Sequence, residues 1–210
     1  MNNIDLIDSY LEEIFPFPKC ELNYNKDYEL LIAVMLSART TDKRVNVVTK
    51  NLWSKYKSLN DIKNANINDL INIVKELGFV KKAYYLKEIA TILVDEYNSS
   101  MPYDRKILES LPGVGRKTVN VVFSELGYED NIAVDTHVFR VSKRLGLINK
   151  NDNVLTTEKK LRKKFKKETW NKRHLQLVLF GRYKCKSISP LCDGCKLKEI
   201  CKFEVKNDKR

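Results

Sequence analysis

Apolar residues recur three or four positions apart along most of the chain, the period of a helix with one buried face. Ile4, Ile7, Leu11 and Ile14 form the first such stripe. Residues 30–38 are apolar all round, as expected of a central helix buried on every side. Asp42 is expected to cap a helix carrying Val45, Val48, Leu52 and Trp53. Asn66 is expected to cap another that runs to Leu77 and stops at Gly78. Residues 82–97 read as a further helix, and residues 108–126 as two helices broken at Leu111-Pro112-Gly113-Val114-Gly115. A short helix over residues 135–145 ends at Gly146, and residues 159–183 hold one or two more. No alternation of period two is sustained, so the predicted fold class is all-α.

The composition narrows the class of molecule. Hydrophobic residues make up 43% of the 210 residues, a globular proportion, and seven Gly with five Pro are too few for linkers. No repeat of solenoid length is present. No apolar run approaches the ~20 residues that cross a bilayer. The start, Met1-Asn2-Asn3-Ile4-Asp5, has no basic, apolar leader. A cytoplasmic location is expected, associated with the nucleoid if the source is prokaryotic. The net charge of +12 favours a polyanionic partner, although a chain rich in Lys, Asn and Ile can reach it through AT-rich coding alone. Residues 159–173 carry nine Lys or Arg and one acid, Glu168, and read equally as a solvated helix face or as a phosphate-facing patch.

Four features carry chemistry. In Leu111-Pro112-Gly113-Val114-Gly115-Arg116-Lys117-Thr118, Pro112 fixes φ and the two glycines are expected to permit backbone that a Cβ would block. A helix then starts near Arg116, so exposed amides of Gly113, Gly115 and Arg116 meet a helix N-terminus, a site for one phosphate. This is a helix–hairpin–helix signature, which grips DNA backbone without reading bases. Lys117 lies in the first helical turn, where the macrodipole and neighbouring Arg116 both disfavour a cation and so favour a nucleophilic free amine. In Ala133-Val134-Asp135-Thr136-His137, Asp135 reads first as an N-cap, a role that would also hold a catalytic carboxylate rigid. His137 is either a core histidine or a DNA contact. Finally, Cys185-x6-Cys192-x2-Cys195-x5-Cys201 places four thiols in seventeen residues. In a reducing cytosol this reads as a metal centre. One CxxC with wide, unequal gaps suits an iron–sulfur cube, with zinc as the alternative. Arg182, Lys184, Lys186, Lys196 and Lys198 surround it and could face phosphate. Cys20 stands apart and reads as a small buried side chain.

The hairpin sequence from Leu111 to Thr118, the motif from Ala133 to His137 and the four-cysteine array, in this order and at these separations, resemble the endonuclease III family, and the similarity runs from about Glu21 to Cys201. The resemblance implies two helical domains with a DNA-binding cleft between them. A six-helix barrel would span residues 20–129, and residues 1–19 with 130–210 would carry a [4Fe–4S] cluster on Cys185, Cys192, Cys195 and Cys201. It also implies a monomeric, bifunctional DNA glycosylase and AP lyase. The substrate is double-stranded DNA containing oxidised pyrimidines or abasic sites, with Lys117 as nucleophile and Asp135 as its helper. Two departures from the family pattern stand out. Arg39 replaces the usual Gln that fills the gap left by a flipped base, and the loop from Gly78 to Ala83 is one residue shorter than usual. Phe79 in that loop is either the duplex wedge or plain core. Two other readings compete. One is a mismatch-specific adenine or thymine glycosylase; the adenine-removing relatives lack the lysine. The other is a non-catalytic iron–sulfur protein that binds DNA or senses redox state, which the Lys117–Asp135 pair disfavours.

Overall fold

In the computed structural model, which describes residues 2–203, the helices follow one another as α1 (Asn3–Ile14), α2 (Asp27–Leu36), α3 (Asp42–Lys55), α4 (Leu59–Asn64), α5 (Ile67–Val74), α6 (Lys81–Tyr97), α7 (Arg105–Ser110), α8 (Arg116–Glu125), α9 (Thr136–Arg144), α10 (Val154–Lys164) and α11 (Trp170–Leu179). No strand occurs among the described residues. Nor is any helix among them long and apolar enough to cross a membrane. The chain divides into two units. One is Glu21–Tyr128; the other joins Met1–Cys20 to Glu129–Arg210.

In the first unit, α2 is buried at every position from Tyr28 to Leu36, and α3, α6 and α8 pack around it. It is the only long apolar run, so it takes the central place. The chain leaves α2 through Ser37 and Ala38 into Arg39, which adopts φ +60. The cap of α3 is Thr41, whose hydroxyl accepts from the Arg44 amide, and not Asp42, which is the first helical residue. Asn66 caps α5 as expected, and a 3-10 turn over Lys75–Leu77 then ends at Gly78 with φ +91. The periodicity gave no sign of α4, although its capping box between Ser58 and Asp61 is written in the sequence.

In the second unit, α1 shares a core with α9, α10 and α11, built from Ile7, Leu11, Val138, Val141, Leu161 and Leu177 among others. A buried cation clamps α1 in place. Arg173, 5% exposed, donates through Nε to Asp8 at 2.8 Å and through Nη1 to Glu12 at 2.6 Å. Burial nevertheless pushes the Asp8 carboxyl up, against the pull of Arg173. This resolves part of the basic segment. Lys160 pairs with Asp152, Arg162 with Glu158, and Lys172 with Glu12. Four of the nine cations of residues 159–173 therefore serve the unit's own carboxylates. Lys159, Lys163, Lys164, Lys166 and Lys167 are exposed.

Candidate functional site

The helix–hairpin–helix is formed by α7, the turn from Leu111 to Gly115, and α8. Asp104 caps α7 through the Ile107 amide, and the Val114 amide closes the turn on the Leu111 carbonyl at 3.1 Å. Gly113 is required twice over. Its φ is +74, and a Cβ there would lie 2.6 Å from the Tyr85 ring. Gly115 differs from expectation: its backbone is extended and a Cβ would meet nothing within 4 Å. What Gly115 provides is a bare N-cap. No side chain caps α8, so its first turn keeps the donor character that suits a phosphate. Arg116 and Lys117 occupy the first two positions of α8, and both are exposed. The Lys117 amine pairs with no carboxylate among the described residues.

Asp135 is half-buried at the N-cap of α9, and its Oδ1 accepts from the Val138 amide at 2.7 Å. Its second oxygen accepts no hydrogen bond among the described residues. The cap thus holds the carboxylate and leaves one oxygen available.

His137 lies in the first turn of α9 and is half-buried, neither core nor fully exposed. Its Cβ sits so close to Gly181 that a Cβ on that glycine would come within 2.8 Å. Arg140 Nη2 lies 3.2 Å from His137 Nδ1. The ring also meets the Gly181 backbone carbonyl, which Arg140 Nη2 shares at 2.8 Å. Burial pushes the imidazole pKa down, with the Asp135 charge opposing, which keeps the ring neutral at neutral pH.

After α11 the chain makes a π-helical turn over Phe180–Lys184, closed by the Cys185 amide on the Phe180 carbonyl at 2.7 Å. This turn carries half-buried Arg182 and exposed Lys184; Lys186 follows, also exposed. Cys185, Cys192, Cys195 and Cys201 all line one cavity of about 530 Å3, walled by Leu145, Phe180, Leu197 and Phe203. The four thiols are half-buried and unbridged. Among the described residues they line this space without converging on one ion-sized point. Burial, first of all, pushes the Cys201 thiol up, and the other three sulfurs add to it. Bound metal reverses that balance, because it takes thiolate. Cys20 lies outside the set and is half-buried, not buried as expected.

Three functional candidates escaped the sequence reading. Arg140 and Arg144, one turn apart on α9, grip the start of the cysteine loop. Arg140 donates to the Gly181 carbonyl at 2.8 Å and to the Cys185 carbonyl at 3.2 Å. Arg144 Nη1 donates to the Lys186 carbonyl at 2.6 Å and lies 3.3 Å from Cys185 Sγ. Their i, i+4 spacing was the only signal available. The third is Lys82, a buried lysine on α6. Arg39 is exposed, and its guanidinium lies 5.5 Å from the centre of the Phe79 ring. Phe79 is 45% exposed, so it is not core.

A model of the HhH-GPD superfamily of base excision DNA repair proteins matches residues 32–167. The chain is 43% identical over 214 residues to the endonuclease III of Bacillus subtilis, covering 100% of this chain and 98% of that one. A solved structure of an endonuclease III trapped as a covalent intermediate with DNA, in an estranged-adenine complex, superposes with a TM-score of 0.90 at 42% identity, covering 96% of each chain. A non-covalent endonuclease III–DNA complex matches with the same values.

Proposed function

Because the chain belongs to the endonuclease III family, within the HhH-GPD superfamily of base excision DNA repair proteins, we propose that it removes oxidised pyrimidines from duplex DNA with Lys117 as nucleophile and Asp135 as its helper. Family membership makes it a DNA glycosylase with AP lyase activity. Two observations support the residue assignment, each within its own unit: Lys117 offers an exposed amine on a helix start that no side chain caps, and Asp135 offers a carboxylate that capping has fixed.

The damaged pyrimidine leaves the stack. The Lys117 amine attacks C1′ of the sugar as the C1′–N1 bond breaks, and the base leaves with the bonding electron pair and takes a proton from water. Asp135 stabilises the positive charge that grows on the sugar and takes the proton shed by the attacking amine. Asp135 returns that proton to O4′ as the C1′–O4′ bond breaks, so the sugar ring opens and a protonated Schiff base joins Lys117 to C1′. Loss of a C2′ proton then expels the 3′ phosphate, which nicks the strand. The hairpin of Gly113, Gly115 and Arg116 holds one phosphate. His137, Arg182, Lys184 and Lys186 engage the backbone elsewhere. Arg39 faces the base left unpaired. Its five donors match the O6 and N7 acceptors of guanine, whereas adenine's amino group finds no acceptor. The enzyme therefore favours lesions opposite guanine, by up to ~1–3 kcal/mol when the contact is complete. It acts as a monomer, in the cytoplasm.

The four cysteines fit a [4Fe–4S] cluster, since they surround a cavity and Arg144 offers a positive donor beside Cys185. Such a cluster supplies a cross-link that shapes the loop bearing Lys186; no step above needs an electron. Purified protein is expected to be brown and to carry about four irons per chain. Stoichiometric zinc in protein purified without air would overturn that assignment.

Incision of duplexes carrying thymine glycol tests the function as a whole. Purified protein is expected to release the base and leave a nicked strand with a β-elimination end. Release of adenine from a mismatch with no action on thymine glycol would favour the mismatch-glycosylase reading. Binding without release of any base would leave a non-catalytic DNA-binding protein.

A further inference from the structure

Lys82 is only 4% exposed, at the second position of α6. No carboxylate among the described residues compensates its charge, and burial pulls its pKa down. Its partners are three carbonyls. Nζ donates to Leu36 and to Ala38 at 2.8 Å each, and to Leu77 at 3.0 Å. A methionine would fill the same volume without desolvating a charge. What the ammonium adds is three fixed directions.

Those directions join two particular loops. Leu36 ends α2, where helix carbonyls lack partners and favour a cation, and Leu36 and Ala38 lead directly into Arg39. Leu77 ends the 3-10 turn that leads through Gly78 into Phe79. The side chains carried by the two loops meet outside: the Arg39 guanidinium lies 5.5 Å from the Phe79 ring centre, and Lys82 Nζ lies 5.9 Å from the same ring. Arg39, Phe79 and Val80 are all exposed. A cation stacked on an aromatic at the surface is the chemistry that engages unstacked bases.

We propose that Lys82 is a positioning residue for duplex opening, its buried ammonium tying the Arg39 loop to the Phe79 loop so that guanidinium and ring enter the base stack as one preassembled unit. The inference rests on the reading that these two loops meet the duplex at the lesion. Loss of the ammonium leaves each loop free to move alone, which costs the step that opens the stack. It does not touch the lysine that performs the chemistry.

The test uses the full chain and the variants Lys82→Met, Lys82→Gln and the double variant Arg39→Ala with Phe79→Ala. Three rates are compared. They are single-turnover excision of thymine glycol from a duplex, the fluorescence rise of 2-aminopurine beside the lesion, and nicking of a preformed abasic site in single-stranded DNA. Thermal melting controls for folding. Lys82→Met is expected to slow duplex excision and the fluorescence rise by about tenfold or more, since small misplacements of positioning groups have effects of that order. Nicking of single-stranded abasic DNA, where no stack needs opening, should stay within about twofold of wild type. Lys82→Gln keeps two donors and should fall between, and it carries the comparison if the methionine variant melts early. Unchanged duplex excision in both variants would overturn the proposal. So would an equal loss in all three rates, which marks a general scaffold role. The double variant separates the two ideas. If it leaves the fluorescence rise intact, the loops do not enter the stack, and the underlying reading fails with it. If it abolishes the rise while Lys82→Met does not, only the role of Lys82 fails.

Discussion

Lys117→Ala is expected to lose base excision and strand nicking together, each by on the order of 10³-fold or more, because the proposed mechanism gives both steps to this one amine. Folding should be unaffected. Lys117 is exposed in the first turn of α8, it makes no ion pair among the described residues, and alanine is a better helix former. Duplex binding should weaken only by one phosphate-range cation, with Arg116 and the hairpin amides still in place. Parallel measurement of base release, nicking and binding checks the point. A variant that still releases the base but no longer nicks would mean that water attacks C1′ and that Lys117 acts only on the abasic product.

The Asp135→Asn protein should keep its fold and lose about 10²-fold or more in excision. The structure makes the comparison clean. Asp135 works as an N-cap through one oxygen, on the Val138 amide, and asparagine caps as well as aspartate does. The amide therefore preserves the helix start and removes the charge. Asp135→Ala provides the contrast: it also loses the cap, at a cost of about 1 kcal/mol. If melting falls in the alanine variant alone while excision falls equally in both, the charge carries the chemistry. Full excision by a folded Asp135→Asn protein would reduce the residue to a cap.

The helices most visible in the sequence were those with a long apolar stripe or a marked stop. α1 and α6 announce themselves by period, α2 by an unbroken apolar run, and α5 by Asn66 and Gly78. A six-residue helix such as α4 is too short to show a period, and only its Ser58–Asp61 capping box betrays it. The start of α10 lies at Val154, five residues before the basic run suggested, because Asn153 caps it through the Thr156 amide. The cysteine set and the hairpin were legible because their signals are local. The basic segment was not, since Arg173 finds its carboxylates 165 and 161 positions away. Lys82 shows the same limit more sharply. As a letter it is one of many surface lysines; its burial follows from carbonyls up to 46 positions distant. The doubt over Phe79 had a similar origin: an aromatic beside a glycine reads as core until its neighbours are placed.

The proposed reaction joins Lys117 covalently to the damaged strand. Its most direct test is to reduce the reacting complex with borohydride on thymine-glycol DNA, digest the protein, and locate the DNA-linked peptide by mass. One adduct is expected, on the Lys117 side chain, and none with Lys117→Ala. An adduct on another amine, or trapping that survives the substitution, would contradict it.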